Sequence, residues 1–234
     1  MEALMPHGIQ TEMPTSLTNG VYKMRAVADH AKAVTKEELA EAFRSAIFAQ
    51  DSSKIHSLLL LEPLLATQPM CIYGHGDTPC GQGWLSPLSF AAWMSRSDSV
   101  AALVAYADPL AAETCDPCRG ATPLMIAAAG YEGTAAPMIN ALLPFSDPNQ
   151  QNALGHTALH NAIANGEDPL AIVALAPVTD LGIEDLQGRC PMSLARFMGM
   201  SKAESLLLAE IELRAISSSL SSVALPSLRS KSRL

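Results

Sequence analysis

A chain of 234 residues that is 49% hydrophobic but only 5% aromatic can bury a sizeable core, and its Ala- and Leu-rich composition favours close-packed helices over a sheet. A formal net charge of −8 argues against a general nucleic-acid binder, which would carry a basic patch. Apolar runs such as Leu58–Leu61 and Ala101–Ala107 fall far short of the roughly 20 residues a membrane helix needs, and five scattered cysteines do not form a secreted disulfide framework.

The N-terminal stretch, residues 1–36, lacks a basic start followed by an apolar segment, so no Sec-type signal is expected there. It reads as a partly disordered extension of a reduced, cytoplasmic protein. Ala42–Ala49 and Lys54–Leu61 are expected as two helices around Asp51-Ser52-Ser53. Glu62 to Leu85 is a long connection holding Cys71, His75 and Cys80.

From Ser86 the chain repeats itself. Ser86-Pro87-Leu88-Ser89-Phe90-Ala91 returns 36 residues on as Thr122-Pro123-Leu124-Met125-Ile126-Ala127. It returns 35 further on as Thr157-Ala158-Leu159-His160-Asn161-Ala162, and another 33 on as Cys190-Pro191-Met192-Ser193-Leu194-Ala195. Gly120, Gly155 and Gly188 each stand two residues before the motif. A Ser or Thr before Pro caps a helix whose first turn tolerates the missing N–H, the Leu faces a core, and the Ala admits a neighbouring helix. After a break, each short helix is followed by a second one: Ser99–Tyr106, Thr134–Leu143, Pro169–Ala176 and Ser201–Ile216. The Ser-rich, basic residues 217–234 have too few apolar groups to order themselves and read as disordered.

This pattern resembles the ankyrin repeat family, whose signature is T-P-L-H-x-A at a period near 33 residues with Gly two positions before the Thr. Gly155-His156-Thr157-Ala158-Leu159-His160 is the nearest copy, and Ser146-Asp147-Pro148-Asn149 resembles the turn that precedes it in that family. The resemblance implies an all-α fold, an ankyrin-type α-solenoid of stacked helix-turn-helix repeats with finger loops. Its repeats would lie near 37–82, 83–118, 119–153, 154–186 and 187–216, the first and last being degenerate caps.

Candidate chemistry is sparse. His156 and His160 have the spacing of a shared metal on one helix face, but His160 occupies the position where the family's His packs structurally. Cys190 stands in the place of a capping Thr and reads as a structural substitution. Ala111–Cys118 forms an enlarged finger holding Cys115 and Cys118, adjacent in a stack to the loop of Cys71, His75 and Cys80. These five residues are candidates for one structural zinc site; free thiols and a local or inter-loop disulfide are the competing readings. No phosphate loop, nucleophile elbow or paired catalytic acids are present, and no cofactor is expected.

The resemblance implies a monomeric, non-enzymatic adaptor that binds a protein through finger tips and the exposed face of each first helix. That face would present Trp93, Met94, Tyr131, Ala164, Asn165, Phe197 and Met198, with Ala121, His156 and Arg189 before each motif. The competing reading places Trp93 and Phe197 in the core. Residues 1–216 hold 12 basic and 23 acidic residues, a net of −11, which favours a basic partner modestly; the competing reading is plain solubility. Two rival functions are an enzyme regulator with a structural zinc in the enlarged loops, and a secreted bacterial effector that engages host proteins through the repeats.

Overall fold

The computed structural model describes residues 35–71, 84–108, 120–130, 133–165 and 168–223. The chain divides into two units, Met1–Leu39 and Ala40–Leu234. In the first unit the described residues form a reciprocal helix cap. The Thr35 N–H donates to Glu38 Oε2 at 2.9 Å and the Glu38 N–H donates to Thr35 Oγ1 at 3.1 Å.

The helices, in order, are α1 (Lys36–Ala49), α2 (Ser52–Leu61), α3 (Pro87–Trp93), α4 (Ser97–Leu103), α5 (Pro123–Ala128), α6 (Ala135–Leu142), α7 (Ala158–Asn165), α8 (Pro169–Leu175), α9 (Pro191–Phe197) and α10 (Ser201–Val223). The architecture is helical. Strands β1 (Met70–Cys71) and β2 (Trp84–Leu85) pair antiparallel, Met70 opposite Leu85 and Cys71 opposite Trp84, and clasp one connection without forming a layer. No helix among the described residues is long and apolar enough to cross a membrane.

Capping explains where the short helices start. Ser86 Oγ accepts from the Ser89 N–H at 3.2 Å, Thr122 Oγ1 from Met125 at 3.3 Å and Thr157 Oγ1 from His160 at 3.4 Å, while Pro87, Pro123 and Pro191 open their helices without needing a donor. Cys190 holds the equivalent backbone position but its side chain makes no cap bond. Asp51 and Asp168 cap α2 and α8 in the same way, each accepting a helix N–H at 3.0 Å. Asp168 also accepts the Gly133 N–H at 3.2 Å, which ties consecutive helix pairs together.

The repeated motif becomes a repeated packing unit. Helices α3, α5, α7 and α9 pack successively on one another, and α2, α4, α6, α8 and α10 form a second row. Leu88, Leu124 and Leu159 are wholly buried, as are the motif alanines Ala91, Ala127, Ala162 and Ala195, whose small side chains let neighbouring helices approach. Met192, the fourth counterpart of the Leu, is half-buried. The second row contributes Val100, Leu103, Met138, Ile139, Leu142, Ile172, Leu175 and Leu207. At the near end Phe43, Ala46 and Ile47 of α1 are buried, and Ser99 Oγ of α4 donates to Ile47 O at 2.8 Å.

Several boundaries differ from the sequence expectation. Helix α1 begins at Lys36, well ahead of Ala42, and α2 at Ser52, where the Asp51 cap sits. Helix α4 spans Ser97–Leu103, ending before Tyr106. The largest correction is at the C-terminus, where α10 runs past Ile216 to Val223 into the segment read as disordered. Its serines are compatible with helix because they bond backward: Ser218 and Ser219 Oγ both donate to Ala215 O at 2.8 Å. The remaining expectations for residues 1–34, the enlarged finger at 109–119 and the end of the tail, 224–234, lie outside the described residues.

Candidate functional site

The turns before α7 and α9 are built alike. Asn152 Oδ1 accepts the N–H groups of Leu154 at 2.9 Å and His156 at 3.0 Å; Asp185 Oδ1 accepts those of Gln187 at 2.8 Å and Arg189 at 3.0 Å. Each turn closes with a backbone bond, Gly155 N–H to Asn152 O and Gly188 N–H to Asp185 O, both 2.9 Å. Gly120, Gly155 and Gly188 have φ of +76°, +75° and +72°, a left-handed conformation that explains why Gly recurs two residues before each motif. Adjacent turns are stitched together. The Leu186 N–H donates to Leu154 O at 3.1 Å, the Asp180 N–H to Asn149 Oδ1 at 2.8 Å, and Gln151 Nε2 to both Gly155 O and Glu184 O.

Between these turns sits a polar knot. His160 is fully buried. Its Nδ1 accepts the Thr157 backbone N–H at 3.2 Å, so that nitrogen is unprotonated, and Nε2–H donates to Arg189 O at 3.1 Å in the next repeated unit. His156 stacks on His160 with ring centres 5.7 Å apart, and its Nε2 lies 3.6 Å from Asp185 Oδ2. The Asp185 carboxylate, almost completely buried, also receives Arg189 Nε at 2.8 Å and a terminal guanidinium nitrogen at 2.7 Å. Burial raises the Asp185 pKa, but the bonds from the Arg189 side chain and from the Arg189 and Gln187 backbone outweigh it and hold the carboxyl at about 2. The Arg189 guanidinium then lies over the Phe197 ring, 5.2 Å from its centre.

Three of the expected partner-binding residues, His156, Arg189 and Phe197, thus come together, with Met198 next to Phe197 and exposed. Arg189 is not the free anchor expected from its position: its charge is committed to Asp185. Phe197 is 73% exposed, against the reading that it is core, whereas Trp93, at the end of α3, is 40% exposed with Met94 half-buried beside it. Asn165 is exposed at the end of α7 and donates to Asn161 O at 2.7 Å; Ala164 is half-buried and Ala121 buried. Tyr131 lies outside the described residues. So do His75, Cys80, Cys115 and Cys118; Cys71 is described only as backbone in β1. Among the described residues no three His, Cys, Asp or Glu side chains are grouped as metal ligands.

Sequence reading missed Asp185, the residue that organises this site. Its signal was present: Asn152-x-x-Gly155-x-Thr157 and Asp185-x-x-Gly188-x-Cys190 are the same pattern, but the short polar residue at its head has no visible role until the turn folds back onto it.

The buried His160 gives a pH signature. Burial is the main cause that lowers its pKa from the ordinary 6.5. Because the folded pKa is depressed, the unfolded chain takes up the proton first as pH falls. Stability is fully present above about 6.5 and declines below it. Denaturant unfolding of the intact chain between pH 7.5 and 5.5 should show this loss, whereas His160→Ala should be less stable by about 2–3 kcal/mol at pH 7.5 and show a flatter pH dependence. No family model matches this chain, and no curated protein matches it.

Proposed function

We propose that the chain is an ankyrin-type solenoid acting as a non-enzymatic adaptor that grips a protein partner along its first-helix row and turn tips. The repeated motif, the matching turns and the histidine bridge between consecutive units support the architecture. The observation that carries the functional reading is the Phe197 site. An exposed aromatic ring is held by Arg189, which is itself fixed by a buried carboxylate. A ring ordered before binding loses little entropy on docking, and aromatic residues dominate interface energetics. The excess negative charge of residues 1–216 favours a basic partner surface.

A photo-crosslinking residue at Met198 would identify what docks there. The purified partner should then bind Phe197→Ala at least about 30-fold more weakly, a loss of about 2 kcal/mol. The melting temperature should hardly change, because the ring is mostly exposed. An unchanged affinity with a lowered melting temperature would show that Phe197 serves the fold alone.

A further inference from the structure

We propose that helix α10 pairs antiparallel with α10 of a second copy of this chain. The helix packs on α8 and α9, and its last described contact with them is at Arg214. Ala203 and Leu207 are buried, and at Arg214 the guanidinium donates to Ala176 O and Thr179 O at the end of α8. Residues 215–220, beyond that point, are all exposed. The helix therefore continues after its supporting layer has ended.

The outer face of α10 carries a two-residue apolar code. Leu206, Ala209, Leu213, Ile216 and Leu220 follow one another at alternating spacings of three and four, the 3.5-residue period that keeps one seam facing a partner helix. Leu213, Ile216 and Leu220 are 61%, 58% and 67% exposed. Among the described residues Leu213, Ile216 and Leu220 have no covering layer, Leu206 is half-buried, and the buried Ala203–Leu207 face points elsewhere around the helix.

Volume favours self-pairing, and charge does not oppose it. When two copies run antiparallel about the Leu213–Ile216 step, the central layers set a leucine against a smaller or β-branched residue: Leu220 with Ala209, and Leu213 with Ile216. A parallel pair would instead stack leucine on leucine and Ala209 on Ala209, and leucine at the first with β-branched residues at the second seam position disfavours a parallel dimer. The flanking acids do not oppose each other in the antiparallel register. Glu210, already paired with Arg214 at 2.8 Å, faces Ser217 of the second copy, and Glu212 faces Ser219. This surface is separate from the Phe197 site, so pairing would present two such sites in one assembly.

Sedimentation analysis of the full chain tests the pairing. The unmodified protein should form a dimer with a concentration-dependent midpoint, and Leu213→Lys and Ile216→Glu should each raise the dissociation constant at least about 100-fold by burying two unpaired charges. Leu208→Lys, exposed but off the seam, should leave the dimer intact. Mixing Leu213→Lys with Ile216→Glu should restore a dimer, because the antiparallel register alone sets Lys against Glu in one layer and leaves Ile against Leu in the other. A chain that stays monomeric up to about 100 µM would overturn the proposal, as would dimers insensitive to both seam variants or a mixture that fails to re-form them.

Discussion

Asp185→Ala is expected to destabilise the fold by about 3 kcal/mol, lowering the melting temperature by about 9 °C. The carboxylate is buried and receives the Arg189 side chain through two nitrogens and the backbone N–H groups of Gln187 and Arg189. Its removal leaves those donors without an acceptor, and the loss exceeds what a surface ion pair would cost. Asp185→Asn should cost less, about 1–2 kcal/mol, because an amide oxygen already performs the same backbone capping at Asn152. The sign with pH follows from the depressed pKa. The stabilisation is complete above the ordinary 3.8 and is lost as pH falls toward about 2, so Asp185→Asn should be less sensitive than the unmodified chain across that interval. Calorimetry at pH 7 and at pH 3 would check both statements. A near-neutral Asp185→Ala would mean that Arg189 finds water as readily as it finds the carboxylate.

Gly155→Ala should be the other severe substitution, costing about 3 kcal/mol, while Gly188→Ala in the matching turn should cost about 1 kcal/mol. Both glycines have positive φ, so each pays for a side chain in the left-handed region. They differ in their surroundings. A Cβ on Gly155 would sit 2.7 Å from Leu186 N and 3.0 Å from the Asp185 backbone, whereas the nearest atom to one on Gly188 is Glu184 Oε2 at 3.9 Å. The obstacle at Gly155 is backbone held by the Leu186–Leu154 hydrogen bond, so it cannot rotate away as a side chain would. Chemical denaturation of the two variants compares them directly, and equal losses would mean that adjacent turns can separate without penalty.

Much of the scaffold was legible in the sequence, because the relevant interactions are local. A Ser or Thr cap acts on the amide three residues on, Pro restricts its own φ, and Gly is tolerated where φ is positive; each of the four copies keeps at least two of those choices, and together they place α3, α5, α7 and α9. Boundaries failed where a local preference was read too literally. The serines after Ile216 looked like a disordered tail, yet hydroxyls that bond to carbonyls one turn back can be carried by a helix already anchored through Ala203, Leu207 and Arg214.

What the sequence determined by itself, then, is the helical class, the period, and which Leu and Ala of each motif face inward, since these follow from spacing along a single segment. Only the tertiary structure decided what the polar residues do. Arg189 changed from a free anchor to half of a buried ion pair, and His160 became a bridge to a carbonyl 29 residues away. Phe197 emerged as an exposed ring braced from below by Arg189. Each outcome depends on how closely one turn approaches the next, a distance set by glycine backbones and small alanines across repeats. No single segment contains that information, because a charge or a ring has the same pattern in sequence whether its partner is water or the neighbouring turn.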